Sequence, residues 1–511
     1  MPGILINEQE DLSLGQVSVV ENVVLVPLFV DEYLKDDQGD EIKAKKYTLY
    51  QRFVSDVKYG KNDCILLKEL AETNSSQSKP EKYDMIIDKE YYVIDKSYFY
   101  IKELIGMGLS VVVRFVGPRD YAEWQDSEGD FVIPETDGKW IDSFDKKLDY
   151  MLNQLINGTE SNSETRYGGI YEDFKDRNLY NLKFITTGAH ANLFVTDKDT
   201  SEVDAVDHEN SCYDVLANVA ARRGDAIALI EIEDDYDLDE KDSLLSNREQ
   251  LMSDFAISTH DFEYAACFYP WGVYAMNFSK GKKYVMPASF GYLMAFAYSI
   301  QVNEDWFAAS GVSRGFIPNL VSLNYQIGDS FMHVLQSDEP KWFDRDDAVA
   351  LYDDIDEGQY LPIRINPIMF KGAYGNRVWG NRTFSYLGDD GITAATHSNV
   401  SFREYLNVRM LLCDIKKQIY GAATRVTFEP NDDITWLNFK GLVNNLLDRM
   451  QNGRGLEWYH WQKEVAEDEH GNRRKATIKA TLTIKPIEAV EYFDITVYLT
   501  DEDAVVAEPV L

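Results

Sequence analysis

The sequence predicts a multidomain protein of α/β and α+β class. It would combine an α/β core layer, a C-terminal two-helix and β-strand domain, terminal strand-exchange arms and a β-rich outer insertion. Three observations lead there. At 511 residues the chain exceeds what one hydrophobic core holds. Between about 176 and 345, apolar runs of strand length alternate with helical segments, the pattern of a largely parallel sheet. Beyond about 403 the pattern changes to two amphipathic helices and then to strict apolar–polar alternation.

Residues 1–22 read as an arm, because the short apolar strand Ile4-Leu5-Ile6 has no hairpin partner nearby. It either tucks onto its own domain or adds to a neighbouring subunit's sheet. Residues 23–170 supply an N-terminal core strand and an outer, β-rich decorating region. Val23 to Val30 and Leu109 to Val116 are continuous apolar runs, as expected of strands buried on both faces. Helical periodicity spans Tyr98 to Leu104 and Lys146 to Ile156, with Gly- and Asp-rich loops around the second.

Residues 171–344 form the α/β core domain. Its expected strands are Tyr180–Thr186, Asp225–Ile232 and Ala265–Pro270, and its helices Tyr213–Arg223 and Ser289–Ile300. Residues 345–511 form the C-terminal domain and end in a second arm. One helix, about Arg403 to Tyr420, carries the stripe Tyr405, Val408, Leu412, Ile415 and Ile419, with Asn407, Asp414, Lys417 and Gln418 opposite. A second starts after Pro430 with Asn431 as its N-cap, carries Trp436, Phe439, Val443, Leu446 and Met450, and stops at Gly453. Ile478, Ala480, Leu482 and Ile484 alternate as a half-buried strand, and Phe493, Ile495, Val497 and Leu499 as a final one.

Composition excludes several classes of function. With 87 acidic and 51 basic residues, the net charge of −36 repels phosphate backbones and argues against direct nucleic-acid binding. It serves solubility, or keeps copies apart until a docking surface overcomes the repulsion. Cys64, Cys212, Cys267 and Cys413 are scattered like reduced core residues of a protein made in the cytosol. The N-terminus lacks the basic and apolar regions of a signal peptide, and no apolar run reaches membrane-spanning length.

Chemical motifs fail one by one. His460 and His470 flank a Trp- and Glu-rich segment that reads as a surface loop, without metal-ligand spacing. Ser310 and Ser313 lack the strand–elbow context of a nucleophile, and Gly372, Gly375 and Gly380 form no phosphate-binding loop. The acidic run Glu231 to Asp242 imitates a calcium loop but has Glu240 where glycine belongs and Ser246 where glutamate belongs. It reads as a solvated loop. No cofactor and no catalytic set are expected.

The segments Ile365-Asn366-Pro367-Ile368, Arg377-Val378-Trp379-Gly380-Asn381-Arg382-Thr383, Tyr405-Leu406-Asn407-Val408-Arg409 and Phe428-Glu429-Pro430-Asn431 follow one another in order. Upstream stand Tyr269-Pro270-Trp271, Pro287-Ala288-Ser289-Phe290-Gly291 and Trp306 to Gly315, and downstream Pro486 to Glu491. This order resembles the tail sheath proteins of contractile bacteriophage tails over about 180–500. The departures are Met410 in place of a second arginine, Asn376-Arg377-Val378 where the family has Arg-Gly-Val, and an acidic C-terminus.

The resemblance implies a structural subunit that polymerises as hexameric rings or a six-start helix around an inner tail tube protein, without nucleotide hydrolysis. Baseplate and tail terminator proteins would be its other partners. It would be assembled in the host bacterial cytoplasm and reside in the contractile tail of the virion. A bacterial contractile injection device or tailocin shares these features. A carbohydrate-active or hydrolytic enzyme, suggested only by abundant Trp, Tyr and carboxylates, is the alternative from another class.

Expected subunit-interface residues are Ile4, Leu5, Ile6, Phe493, Ile495 and Val497 in the arms. Trp379 with Arg377 and Arg382 either locks an interface or packs an ordinary core. Arg409, Lys416 and Lys417 are expected to face the tube, or to form a merely solvated helix face.

Overall fold

Buried apolar runs assemble the centre of the chain into a nine-stranded sheet. The computed structural model describes residues 22–31, 50–52, 64–67, 69–70, 84–86, 92–93, 97–116, 174–177, 180–189, 195–196, 206–207, 212–231, 261–276, 283–328, 364–384, 404–465, 477–487 and 489. In chain order the strands begin with β1 (Val23–Asp31), β2 (Tyr50–Arg52), β3 (Cys64–Leu67), β4 (Glu69–Leu70), β5 (Asp84–Ile86), β6 (Tyr92–Val93) and β7 (Ser110–Val116). They continue with β8 (Phe184–Ile185), β9 (Val195–Thr196), β10 (Val206–Asp207), β11 (Ile227–Glu231), β12 (Ala265–Tyr269), β13 (Gly272–Ala275), β14 (Lys283–Met286) and β15 (Leu320–Leu323). The last four are β16 (Ile365–Phe370), β17 (Asn376–Val378), β18 (Leu456–Glu464) and β19 (Lys479–Pro486). The longer helices are α1 (Ser97–Gly106), α2 (Cys212–Arg223), α3 (Ala288–Ile300), α4 (Leu406–Val426) and α5 (Asp433–Asn452).

The main sheet runs β17-β16-β12-β11-β8-β1-β7-β3, with β6 paired to the far end of β1. Its six central strands, from β16 to β7, are mutually parallel, and β17 and β3 close the edges antiparallel. Val23–Val26 and Val111–Val113 are fully buried, which explains why these strands read as continuous apolar runs. Distant segments meet here: the Thr186 hydroxyl donates to the Leu25 carbonyl across 161 residues, and Asn366 Nδ2 donates to the Cys267 carbonyl across 99.

Helix α3 joins α1 in one core with Val24, Val113, Leu229, Phe268 and Ile368. The ring of Tyr292 stacks on Phe268 at 4.5 Å and Phe296 meets Phe184 edge-on at 5.1 Å. Such pairs add about 1 kcal/mol each beyond area burial. Gly291 permits the approach: a Cβ there would lie 2.6 Å from Tyr274 Oη and 2.9 Å from Ile368 Cδ1.

Helices α4 and α5 and the β18–β19 hairpin share a second core around Trp306, Leu411, Ile415, Val443, Leu447 and Met450. Asp432, one residue beyond the expected Asn431, caps α5 by accepting from the Thr435 amide at 2.9 Å. Asn431 instead donates to the Thr477 carbonyl.

Three expectations are corrected. The domain boundary at 345 divides the sheet, because β16 pairs with β12 and β17 with β16; this stretch completes the core. The segment around His460 is a strand, β18, and not a loop. The face of α4 expected to be polar and open is buried at Asn407, Asp414 and Gln418. The reason is that α4 lies between two cores, giving Leu406, Met410 and Cys413 to the first and Leu411, Ile415 and Ala422 to the second. The expected helix 146–156, the strand at 493–499 and most of the acidic run 231–242 lie outside the described residues.

Candidate assembly surfaces

Ion pairs join the sheet to α4. Lys183, immediately before β8, donates to Asp305 at 2.8 Å and to Asp414 of α4 at 2.9 Å. Burial opposes the charge on Lys183, but the two carboxylates outweigh it and hold its pKa above the ordinary lysine value. Complete burial pushes the Asp414 carboxyl up, and its Oδ1 has no hydrogen bond among the described residues. Arg364 pairs with Glu404, and Arg409 with Glu263 at 2.5 Å. Trp306 adds a packed contact: its Nε1 donates to the Gly453 carbonyl at 3.0 Å while its own carbonyl accepts from Asn407 Nδ2. These contacts make the core and the C-terminal body one continuous packed unit.

The aromatic turn is a hairpin. Gly372 and Gly375 take φ of 56° and 72° between β16 and β17, a region open to glycine at little cost. Trp379 is half-buried, with the Lys371 ammonium 4.2 Å over its ring. Arg377 lies 4.6 Å over the Phe316 ring and donates to the Val312 carbonyl at 2.9 Å. Both residues remain near the surface of this edge.

Arg382 does not. It is buried and its guanidinium covers Tyr405 at 4.3 Å, so it holds the start of α4. Arg409, expected to face the tube, is buried and paired with Glu263. Lys417 turns inward to the Leu182 carbonyl at 2.6 Å, and burial lowers its pKa. Lys416 alone of the three is exposed, with its ammonium 2.6 Å from the Tyr264 hydroxyl. Ile4, Leu5, Ile6, Phe493, Ile495 and Val497 lie outside the described residues.

Residue patterning missed two features. The pairs Lys183–Asp414 and Arg364–Glu404 span long stretches of sequence, where no local period reports them. Strand β18 escaped because its sequence, LEWYHWQKE, has little apolar alternation; it pairs with β19 from Leu456↔Pro486 to Glu464↔Lys479. Both outer edges of this two-stranded ladder are unpaired among the described residues. Among those residues there is also no His/Cys/Asp/Glu group able to hold a metal, and no helix long and apolar enough to cross a membrane.

No family model matches the chain. Among solved structures, a chain of the anti-feeding prophage baseplate in its contracted state is 14% identical with a TM-score of 0.51, covering 98% of this chain and 99% of that one. A chain of the contracted sheath complex of the PVC extracellular contractile injection system is 12% identical with a TM-score of 0.46, covering 98% of each. In sequence, the tail sheath protein of Vibrio phage KVP40 is 26% identical over 216 residues, 42% of this chain. Over that stretch the chain is similar to a contractile tail sheath protein. The stretch shared with the Vibrio phage sheath protein spans 26% of that protein's length. The mixed α/β fold of this chain, with its mainly parallel sheet, agrees with that of the baseplate chain.

Proposed function

We propose that this chain is the structural subunit of a contractile phage tail sheath. It polymerises around an inner tail tube in a metastable extended state and contracts to drive the tube through the host envelope. Baseplate and terminator proteins bound the polymer, and contraction draws on interface gain rather than on nucleotide hydrolysis. The observation that carries this reading, beside the sequence likeness to a phage sheath protein, is the β18–β19 ladder, both edges of which are open among the described residues. The first 22 residues and those after about 490 read as strands in need of a partner, and such a ladder can accept strands from neighbouring copies. The sheath of a bacterial injection device would use the same parts, and the fold shared with the anti-feeding prophage baseplate chain favours keeping that second reading.

The test is electron microscopy of the purified chain with and without chelator. Hollow tubes or stacked rings that ignore chelator and need no nucleotide are expected. Monodisperse monomers that turn over a substrate would overturn the proposal. Deleting residues 2–18, or truncating after Thr500, is expected to leave the melting curve nearly unchanged and abolish polymers. Lost strand addition removes contacts between copies but little of either core. Normal tubes from both truncated forms would assign the arms another role.

A further inference from the structure

The two ends of α5 carry opposite chemistry. At its N-terminal end, the turn from α4 presents Phe428, 77% exposed, followed by Ile434 at 68% and Leu437 at 63%. Glu429 and Asp432 are exposed beside them. Phe428 holds a φ of 74°, a left-handed conformation unfavourable for a bulky side chain, so the chain accepts strain while turning this ring to solvent.

At the other end, exposed Arg454 follows the helix, also at a left-handed φ, 63°. Partial burial and the charge of Arg454 lower the pKa of Arg314. Arg314 ends a one-turn helix, Gly311–Arg314, and donates to the Ala308 carbonyl at 3.0 Å. Arg377 binds the Val312 carbonyl of that same turn. Arg314 and Arg377 thus gather round one turn, held by carbonyls and by the rings of Phe307 and Phe316, with the charge of Arg454 close by. Among the described residues no carboxylate pairs with them. Nearby acids are engaged elsewhere: Glu304 with Arg449 at 2.9 Å, Asp305 with Lys183, and Glu457 with Lys485 at 2.5 Å. Phe370 and Tyr374, both more than half exposed, add apolar area on the hairpin that carries Arg377.

In a chain with 87 acidic residues, a cluster of arginines with no carboxylate partner among the described residues is a surface suited to receive carboxylates. The partner surface is the far end of the same helix. Twenty residues of α5 span about 30 Å, so a copy cannot bring its own tip to its own arginines. We propose that the acidic, apolar tip Phe428–Leu437 of one copy docks on the Arg314–Arg377–Arg454 cluster of a second copy. Bulky apolar groups fill the centre, and carboxylates meet guanidinium edges left open by stacking on rings. The contact joins unlike surfaces and therefore propagates instead of closing. It rests on the polymeric reading and adds to it a contact independent of the arms.

The experiment reverses exposed charges and reads the critical concentration for polymerisation by sedimentation, at low and moderate salt. Arg454→Glu and Glu429→Arg are each expected to raise it about tenfold or more. The double variant, with both ends reversed, is expected to return close to wild type. Leu437→Ser, which leaves charge untouched, is expected to weaken assembly with an unchanged melting curve. Added salt should weaken wild-type assembly by screening the contact. Single variants that assemble at the wild-type concentration, or a double variant no better than either single one, overturn the contact while the polymeric reading stands. A wild-type chain that never polymerises overturns both.

Discussion

Trp306→Ala is expected to destabilise the chain by about 3–5 kcal/mol, the range for removing a large buried aromatic side chain. Trp306 is 2% exposed and sits in the second core while its backbone follows α3 of the first. Its ring fills the space above Gly453 and Gly455, where added Cβ atoms would lie 2.5 and 2.8 Å from it. Alanine leaves a void that the flanking backbone is poorly placed to fill, and the Gly453 carbonyl loses its donor. Denaturation followed by circular dichroism measures the loss. A second signature is expected: the two cores should separate into two transitions where the wild type shows one. A cost below about 1 kcal/mol with one transition would show that Trp306 does not join the two cores.

Asp414→Ala is expected to cost a similar amount, about 3–5 kcal/mol, because it removes one partner of a buried ion pair. Lys183 would keep Asp305 but lose the carboxylate that lies deeper in the protein. Asp414→Asn retains an acceptor for the ammonium and should cost much less. The comparison separates lost charge from lost packing. Equal losses in the two variants would indicate that the charge itself matters most.

Where burial follows a local period, the sequence was legible. The valine-rich runs at β1 and β7 and the helical spacing of α1, α2, α3 and α5 appear close to where their side chains predict. Legibility failed where tertiary contact overrides pattern. Strand β16 contains Pro367, which argues against a central strand, yet it pairs with both β12 and β17. In α4, one apolar stripe suggested one buried face, but Asn407 and Asp414 are buried because their partners, Asn381 and Lys183, come from elsewhere in the chain. The candidate surfaces divided in the same way. Arg377 and Trp379 are half-buried on the aromatic turn, whereas Arg382 and Arg409, equally charged arginines, are both buried. Their burial is set by Tyr405 and Glu263, which spacing alone does not bring together.

The placement of β1 has a consequence for biosynthesis. The earliest described strand lies between β7 and β8, and its Leu25 carbonyl waits for a hydroxyl 161 residues later. The sheet cannot be completed until β16 and β17 have left the ribosome. Until β8 has emerged, the nascent chain carries a valine-rich strand with an unfilled side, the kind of segment that aggregates or recruits chaperones. Slowing translation between β1 and β8 should therefore reduce soluble yield more than slowing it after β17, where only the helices and the final hairpin remain to dock.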